Sequence, residues 1–287
     1  GRLALDANTT GGDNVAIGNS ALGANTTASN NTAVGSAALL ANTTGTPNTA
    51  LGALALDANT TASHNTAIGY EALSGNETTN FNTALGSQAA KVAQSDSLVA
   101  IGAQALVANT TGGGNTAVGR DCMGSNTTGA SNVAVGKSAL YANTTGYDNT
   151  AVGANALGTT TTGTHNTAIG SGATCSAATS SNQFTLGDTN VYNLRCNDTS
   201  IQSLSDSRDK TDVIDSPYGL EFINTVRPVQ FLWDTRDGNI KDGSTRIGFL
   251  AQELLEATDG NNAVLDLVHD DNPDRLEAKY GNLLPIL

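Results

Sequence analysis

Aromatic residues are scarce, at 4 % of 287 residues with a single Trp. Phe, Tyr and Trp supply much of the area buried in conventional cores, so the shortage argues against one large core of that kind. Basic residues are also few, 13 Lys+Arg against 26 Asp+Glu, for a formal net charge of −13. That balance argues against nucleic acid as a partner, because phosphates need Lys and Arg. No apolar run approaches the roughly 18 residues of a membrane-spanning helix, so membrane insertion is not expected. The first residues, GRLALDANTT, show neither a charged-then-apolar signal pattern nor an initiator Met, which reads as a fragment or a processed piece. The three cysteines, Cys122, Cys175 and Cys196, are odd in number and show no CxxC spacing. No metal and no cofactor is expected.

The scarcity is uneven. Residues 1–180 hold 4 basic, 8 acidic and 4 aromatic residues; residues 181–287 hold 9, 18 and 8, including Trp233. The first region is filled by a repeat. Ten similar segments each carry a Gly, from Gly18, Gly35 and Gly52 to Gly153 and Gly170, spaced by 17 residues except for one step of 16 between Gly86 and Gly102. Self-similarity at a fixed short period is the signature of a stacked repeat architecture. The consensus is N-T-A-(V/I/L)-G-x-x-A-L-x-A-N-T-T-G-x-x. Ala stands two residues before each of these Gly residues, a branched aliphatic one before, and usually Leu four after, as in Leu22, Leu39, Leu56 and Leu73. The residue before the Asn varies freely (Asp13, Asn30, Pro47, His64, Phe81), which predicts a solvent-facing position and makes surface residues of His64 and His165.

A unit of this length is too short for a helical hairpin and suits one coil of a β-solenoid. Thr-Ala-aliphatic predicts the strand. Period-2 alternation sends its Ala and aliphatic side chains to opposite faces, and the expected arrangement has the aliphatic residue inside the coil. Asn-Thr-Thr-Gly predicts the turn, with Gly supplying positive φ. The Asn-x-Thr sequons, Asn8, Asn25, Asn42, Asn59, Asn109, Asn126 and Asn143 among them, then read as a turn ladder rather than as glycosylation sites. Cys122, at an otherwise Ala position, reads as a buried small hydrophobe. Each coil offers only two large apolar side chains and its ladder hydrogen bonds against the cost of ordering its whole backbone, which leaves a gap. Burial between chains helps to close that gap.

The NTAVG-x-x-AL repeats resemble the head repeats of trimeric autotransporter adhesins and repeat arrays of phage tail fibres, over about residues 10–175. The resemblance implies a left-handed parallel β-roll, three chains side by side, and an elongated extracellular role in adhesion. Further along, SDSRDK at 205–210, PYGLEFINTVRPVQFLWD at 217–234, IGFLAQELLEA at 247–257 and YGNLLPIL at 280–287 resemble, in order and spacing, the intramolecular chaperone domain of endosialidases, tail spikes and tail fibres. That family folds an upstream β-structured stalk into a trimer and then cuts itself off.

Carried onto this sequence, the resemblance implies Ser205 as nucleophile, Lys210 as its base, Leu204–Ser205 as the scissile bond, and Asp206 and Arg208 in support. A serine hydroxyl needs an adjacent base. A lysine serves as one only where burial or nearby cations favour its neutral form. Asp209 stands where the family more often has an apolar residue, and a carboxylate beside Lys210 favours the charged form. The bland alternative is a surface SDSRDK loop that caps the next element. Phe222, Ile223, Val226, Phe231 and Trp233 read as core. Ile247, Leu250, Leu254 and Leu255 read as the apolar stripe of a helix. Glu253 and Glu256 read as solvated helix charges, and His269 as exposed.

The expected architecture is an all-β repeat solenoid, a trimeric parallel β-roll, at 1–180, followed by a β-rich connector at 181–203 and a small α+β chaperone domain at 204–287. The expected role is that of a virion tail-fibre segment. It would fold in the host cytoplasm, act extracellularly as a homotrimer and bind a host receptor, protein or glycan. Its one reaction would be a single-turnover serine/lysine self-cleavage with no external substrate. A bacterial surface adhesin, or a solenoid whose chaperone domain does not cleave, is the alternative. Thr-array binding of ice is disfavoured, because adjacent threonines point to opposite faces.

Overall fold

The computed structural model describes residues 1–191, 211–212, 216–232, 245–270, 276–279 and 283. The chain divides into two compact units, Gly1–Asp188 and Thr189–Leu287.

In the first unit each repeat is one coil of a parallel β-solenoid. Eleven short strands among the described residues lie side by side in chain order, from β1 (Val15–Ile17) and β2 (Thr32–Val34) to β10 (Thr167–Ile169) and β11 (Phe184–Leu186). Pairing is parallel and in register, Ala16 with Ala33 and Ile17 with Val34. The last strand falls in the stretch read from the sequence as connector and pairs with β10, so the sheet continues past the tenth repeat.

The strand faces are the reverse of the expectation. The invariant Ala points inward: Ala33, Ala50, Ala67 and their equivalents up to Ala168 are fully buried, while Ile17 is 59 % and Leu51 46 % exposed. The cause lies on the opposite wall. The Leu four residues after each Gly, such as Leu39 and Leu140, enters the same core together with the Ala before it. A methyl group is all that the strand can add to so thin an interior, and a branched side chain there would overpack it. Cys122 is one of the buried small residues, as expected, and burial pushes its thiol up to about 12.

The invariant Gly is a matter of backbone contact. Its φ lies between 123° and 142° in every coil, and a Cβ on Gly35 would sit 2.4 Å from the carbonyl oxygen of Gly52. Positive φ is otherwise used at places the repeat pattern does not announce. One is the buried Leu itself (Leu39, φ 51°), another is two residues after the Gly (Ala37, φ 58°), and a third is the variable position (His64, φ 62°). The Gly of Asn-Thr-Thr-Gly is not among them: the chain bends at Thr-Thr as expected, but without the positive φ expected of that Gly.

Two asparagine ladders run along the stack. The Asn of Asn-Thr-Thr is fully buried at 25, 42, 59, 109, 126 and 143. Its Nδ2 donates to the carbonyl three residues on and to the Oδ1 one coil back: Asn126 to Gly129 at 2.9 Å and to Asn109 at 2.6 Å. The Asn ahead of the strand forms the second ladder. Asn132 donates from Nδ2 to the Gly146 carbonyl at 2.9 Å, and its Oδ1 accepts from the Asn149 backbone N–H at 2.9 Å. The repeat itself satisfies most of these buried amide groups, as buried polar groups require; the Oδ1 atoms of Asn59 and Asn143 are the exceptions in the first ladder.

The 16-residue step is built into these ladders. Its coil replaces both asparagines by apolar residues, Ala93 and Leu98, each fully buried. Ser95 takes up the broken ladder: its Oγ accepts from Asn109 Nδ2 at 3.1 Å and donates to the Gly112 carbonyl at 3.0 Å.

The second unit is a small α+β body. It contains α1 (Leu220–Ile223), an antiparallel pair β12 (Val229–Leu232) and β13 (Thr245–Gly248), α2 (Ala251–Ala257), α3 (Asn262–Leu265), and a second antiparallel pair β14 (Val268–His269) and β15 (Glu277–Ala278). Leu254, Leu265, Leu267, Val268 and Leu283 form its core, with Phe222, Ile223, Val226 and Leu255 packed against them. The helical stripe begins later than its spacing predicts. Ile247 is drawn into β13 opposite Gln230 and is 79 % exposed, and Leu250 is the extended residue before α2. Trp233 lies outside the described residues.

Candidate functional site

The self-cleavage residues named from the sequence, Leu204, Ser205, Asp206, Arg208 and Lys210, all lie outside the described residues, as does Cys196. In the second unit the structure does bring together a pair of charged side chains from two of the family-like motifs. Arg227 of VRPV donates from Nε to Glu253 Oε2 at 3.1 Å and from Nη2 to Oε1. Glu253, read from the sequence as a solvated helix charge, is therefore half of a bidentate clamp. It ties the segment entering β12 to the first turn of α2, and it raises the Arg227 pKa further. A residue separation of 26 hides this pair from any local pattern. Its only signal in the sequence is that both partners sit inside motifs already singled out.

In the solenoid, the feature with chemical content is the outer face of the sheet. Each strand presents two outward positions, the Thr or Val before the buried Ala and the aliphatic residue after it. From Val15 and Ile17 to Phe184 and Leu186 these make twenty-two positions over eleven strands, and none is charged. Ile17, Leu51, Leu85, Val135, Val152, Ile169 and Leu186 are each more than a third exposed. The column after the Ala is aliphatic throughout and the column before it is Thr in seven strands; an aliphatic column of this length is uncommon on a free surface.

The variable column is different in character. His64 stacks on Phe81 with centroids 5.1 Å apart, and His165 lies 3.5 Å from Asp148 and edge-on to Tyr147. All of these side chains are at least partly exposed, as expected. Among the described residues no group of three or more His, Cys, Asp or Glu is placed to hold a metal ion, and no helix is long and apolar enough to cross a membrane.

Residues 205–265 match the family model described as chaperone of endosialidase. No curated protein and no solved structure matches the chain. The matched segment takes in the Arg227–Glu253 clamp and, of the small core, Leu254 and Leu265 with Phe222, Ile223, Val226 and Leu255 packed against it, so the C-terminal unit carries an intramolecular chaperone. With the parallel solenoid upstream, the chain fits a tail-spike- or endosialidase-like protein with a C-terminal chaperone.

Proposed function

We propose that the chain is a trimeric phage tail-fibre segment for host attachment. Its chaperone domain brings three copies together and then cuts itself off between Leu204 and Ser205. The observation that carries the trimer is the uncharged outer sheet face: the chaperone match supplies a reason for chains to associate, and this face supplies a surface for them to associate through. A second and third copy present the same columns at the same spacing, so the aliphatic column of each copy meets uncharged columns along the full stack. Removing that area from water is favourable by about 25 cal/mol per Å².

Ser205 is the nucleophile in this reading and Lys210 the base that takes its proton. The Oγ attacks the Leu204 carbonyl and the Leu204–Ser205 C–N bond breaks, its amine taking up the proton; water then hydrolyses the Leu204 ester left on Ser205 Oγ, which frees the Leu204 carboxylate and restores the hydroxyl. Assembly would desolvate Lys210 and so couple cutting to correct folding. Denaturing gels of the wild type and of Ser205→Ala test this directly. The expected result is a shortened wild-type band and an uncut variant. A full-length wild type after assembly overturns the cleavage, and equal cutting of both assigns it to a contaminating protease. A surface adhesin remains the second reading, supported by the repeats alone.

A further inference from the structure

The geometry points to a glycan-binding groove on the solenoid, centred on Tyr141 and fitted to a short neutral oligosaccharide. The groove has a volume of about 540 Å³, within the range of small-molecule sites. Its origin can be read in the repeat. Five residues after each invariant Gly the chain presents an outward column, occupied at successive coils by Gly124, Tyr141 and Gly158. Tyr141 is 48 % exposed and lies against the Gly124 backbone, where a Cβ would come within 3.0 Å of its ring. Gly158, one coil further, has no side chain to cover the ring from above. Gly158, with Gly172 beside it, leaves a notch with Tyr141 as its aromatic wall.

The other wall is polar. Two residues after each Gly stand Asp121, Ser138 and Asn155, and Thr159 closes the end next to Gly158. Asp121 is steadied by Arg120, with Nε–Oδ2 3.2 Å. The lining thus offers one flat aromatic face, a carboxylate, an amide and hydroxyls, with no aliphatic side chain. A sugar has the matching chemistry, C–H groups on one face for the ring and hydroxyls at the edge for the polar groups. A protein partner would ask for aliphatic contact, which is missing. The coil rise of about 4.8 Å is close to the length of one hexose, so successive sugars along the axis meet successive coils. The lining holds no Lys or Arg to meet an anionic glycan, which favours a neutral one.

The same column carries Asp57, Ser74 and Lys91 in other coils, so it is not a face made for burial against another copy, unlike the uncharged strand face. The groove gives the attachment role proposed above a ligand class and rests on that reading. The test separates the two, since light scattering on the same sample reports assembly and sugar titration reports the groove. The full chain is titrated calorimetrically with maltotriose, mannotriose and triacetylchitotriose, and with 3′-sialyllactose as the anionic probe. At least one neutral trisaccharide is expected to bind in preference to the sialylated one. Tyr141→Ser and Gly158→Leu place in the column residues that other coils already hold there, Ser74 and Leu40. The first is expected to weaken binding about tenfold, on the scale of a lost aromatic stacking contact. The second is expected to block the notch; its Cβ would come 2.9 Å from the Asn155 carbonyl oxygen, so Tyr141→Ser is the variant expected to leave the melting transition in place. No binding by any neutral probe, preference for sialyllactose, or binding unchanged in both variants would each overturn the proposal.

Discussion

Asn143 shows how a ladder residue depends on its neighbours one coil away. Its Nδ2 is fully used, donating to Asn126 Oδ1 at 2.7 Å and to the Gly146 carbonyl at 3.0 Å. Its Oδ1 is buried without a partner, because the next coil has Thr160 where the ladder calls for Asn. Leaving such a group unpaired costs about 1–3 kcal/mol. Thr160→Asn continues the ladder by one rung and is expected to stabilise the solenoid by about 1 kcal/mol, measured as a higher denaturant midpoint at unchanged slope. At the other end of the same logic, Ser95 closes the first ladder on the downstream side of the short coil, while the Leu98 backbone N–H carries the second by donating to Asn82 Oδ1. Ser95→Ala leaves one N–H of the buried Asn109 amide without its acceptor, while the Gly112 carbonyl keeps its bonds from Asn109 and Asn115, and is expected to cost about 1–3 kcal/mol in the same measurement.

At the scale of the element, coils are also joined by polar side chains on their surface. Glu71 accepts from Lys91 at 2.7 Å and from Gln88 Nε2 at 2.8 Å, bonds that lower its pKa from 4.5 to about 2. A carboxyl with a lowered folded-state pKa favours the native state above its ordinary value, and that contribution fades as pH falls from about 4.5 towards 2. A carboxyl-carbon NMR titration is expected to find Glu71 still ionised at about pH 3, between those two values, and Lys91→Met should return its midpoint towards the ordinary one.

The coil was legible from its pattern as far as period, strand position and solvent-facing column are concerned. The inside was not. Alternation fixes that Ala and Val oppose each other, but which one faces inward depends on the Leu and Asn side chains of the far wall. The same limit explains Ile247, whose spacing suits a helix but whose pairing with Gln230 makes it strand. The Arg227–Glu253 clamp arises only when β12 and α2 come together, so no local pattern could announce it.

For the whole molecule, the uncharged strand face makes a sharp statement. Val118 lies near the middle of that face, and Val118→Lys would place three ammonium groups at one level of a trimer, each desolvated. Light scattering on the wild type is expected to give about three times the chain mass of 29.0 kDa, and on Val118→Lys a loss of that species. Ser131→Lys, in the exposed variable column, should leave the mass unchanged. A monomeric wild type would show that the face serves something other than a second copy.

The carbonyl of each invariant Gly stands where a Cβ on the Gly before it would go, and the ladder bonds repeat from coil to coil at the same separation. Gain or loss of one whole repeat therefore leaves every such contact intact and moves the later coils along the axis by a single rise, about 4.8 Å. A gain or loss of any other size breaks the register, unless it is compensated as it is at Ser95. The solenoid behaves as a ruler graduated in coils, whose length can be reset by recombination between near-identical units of its own coding sequence. A surface feature written into neighbouring coils then travels along the ruler as an intact cassette.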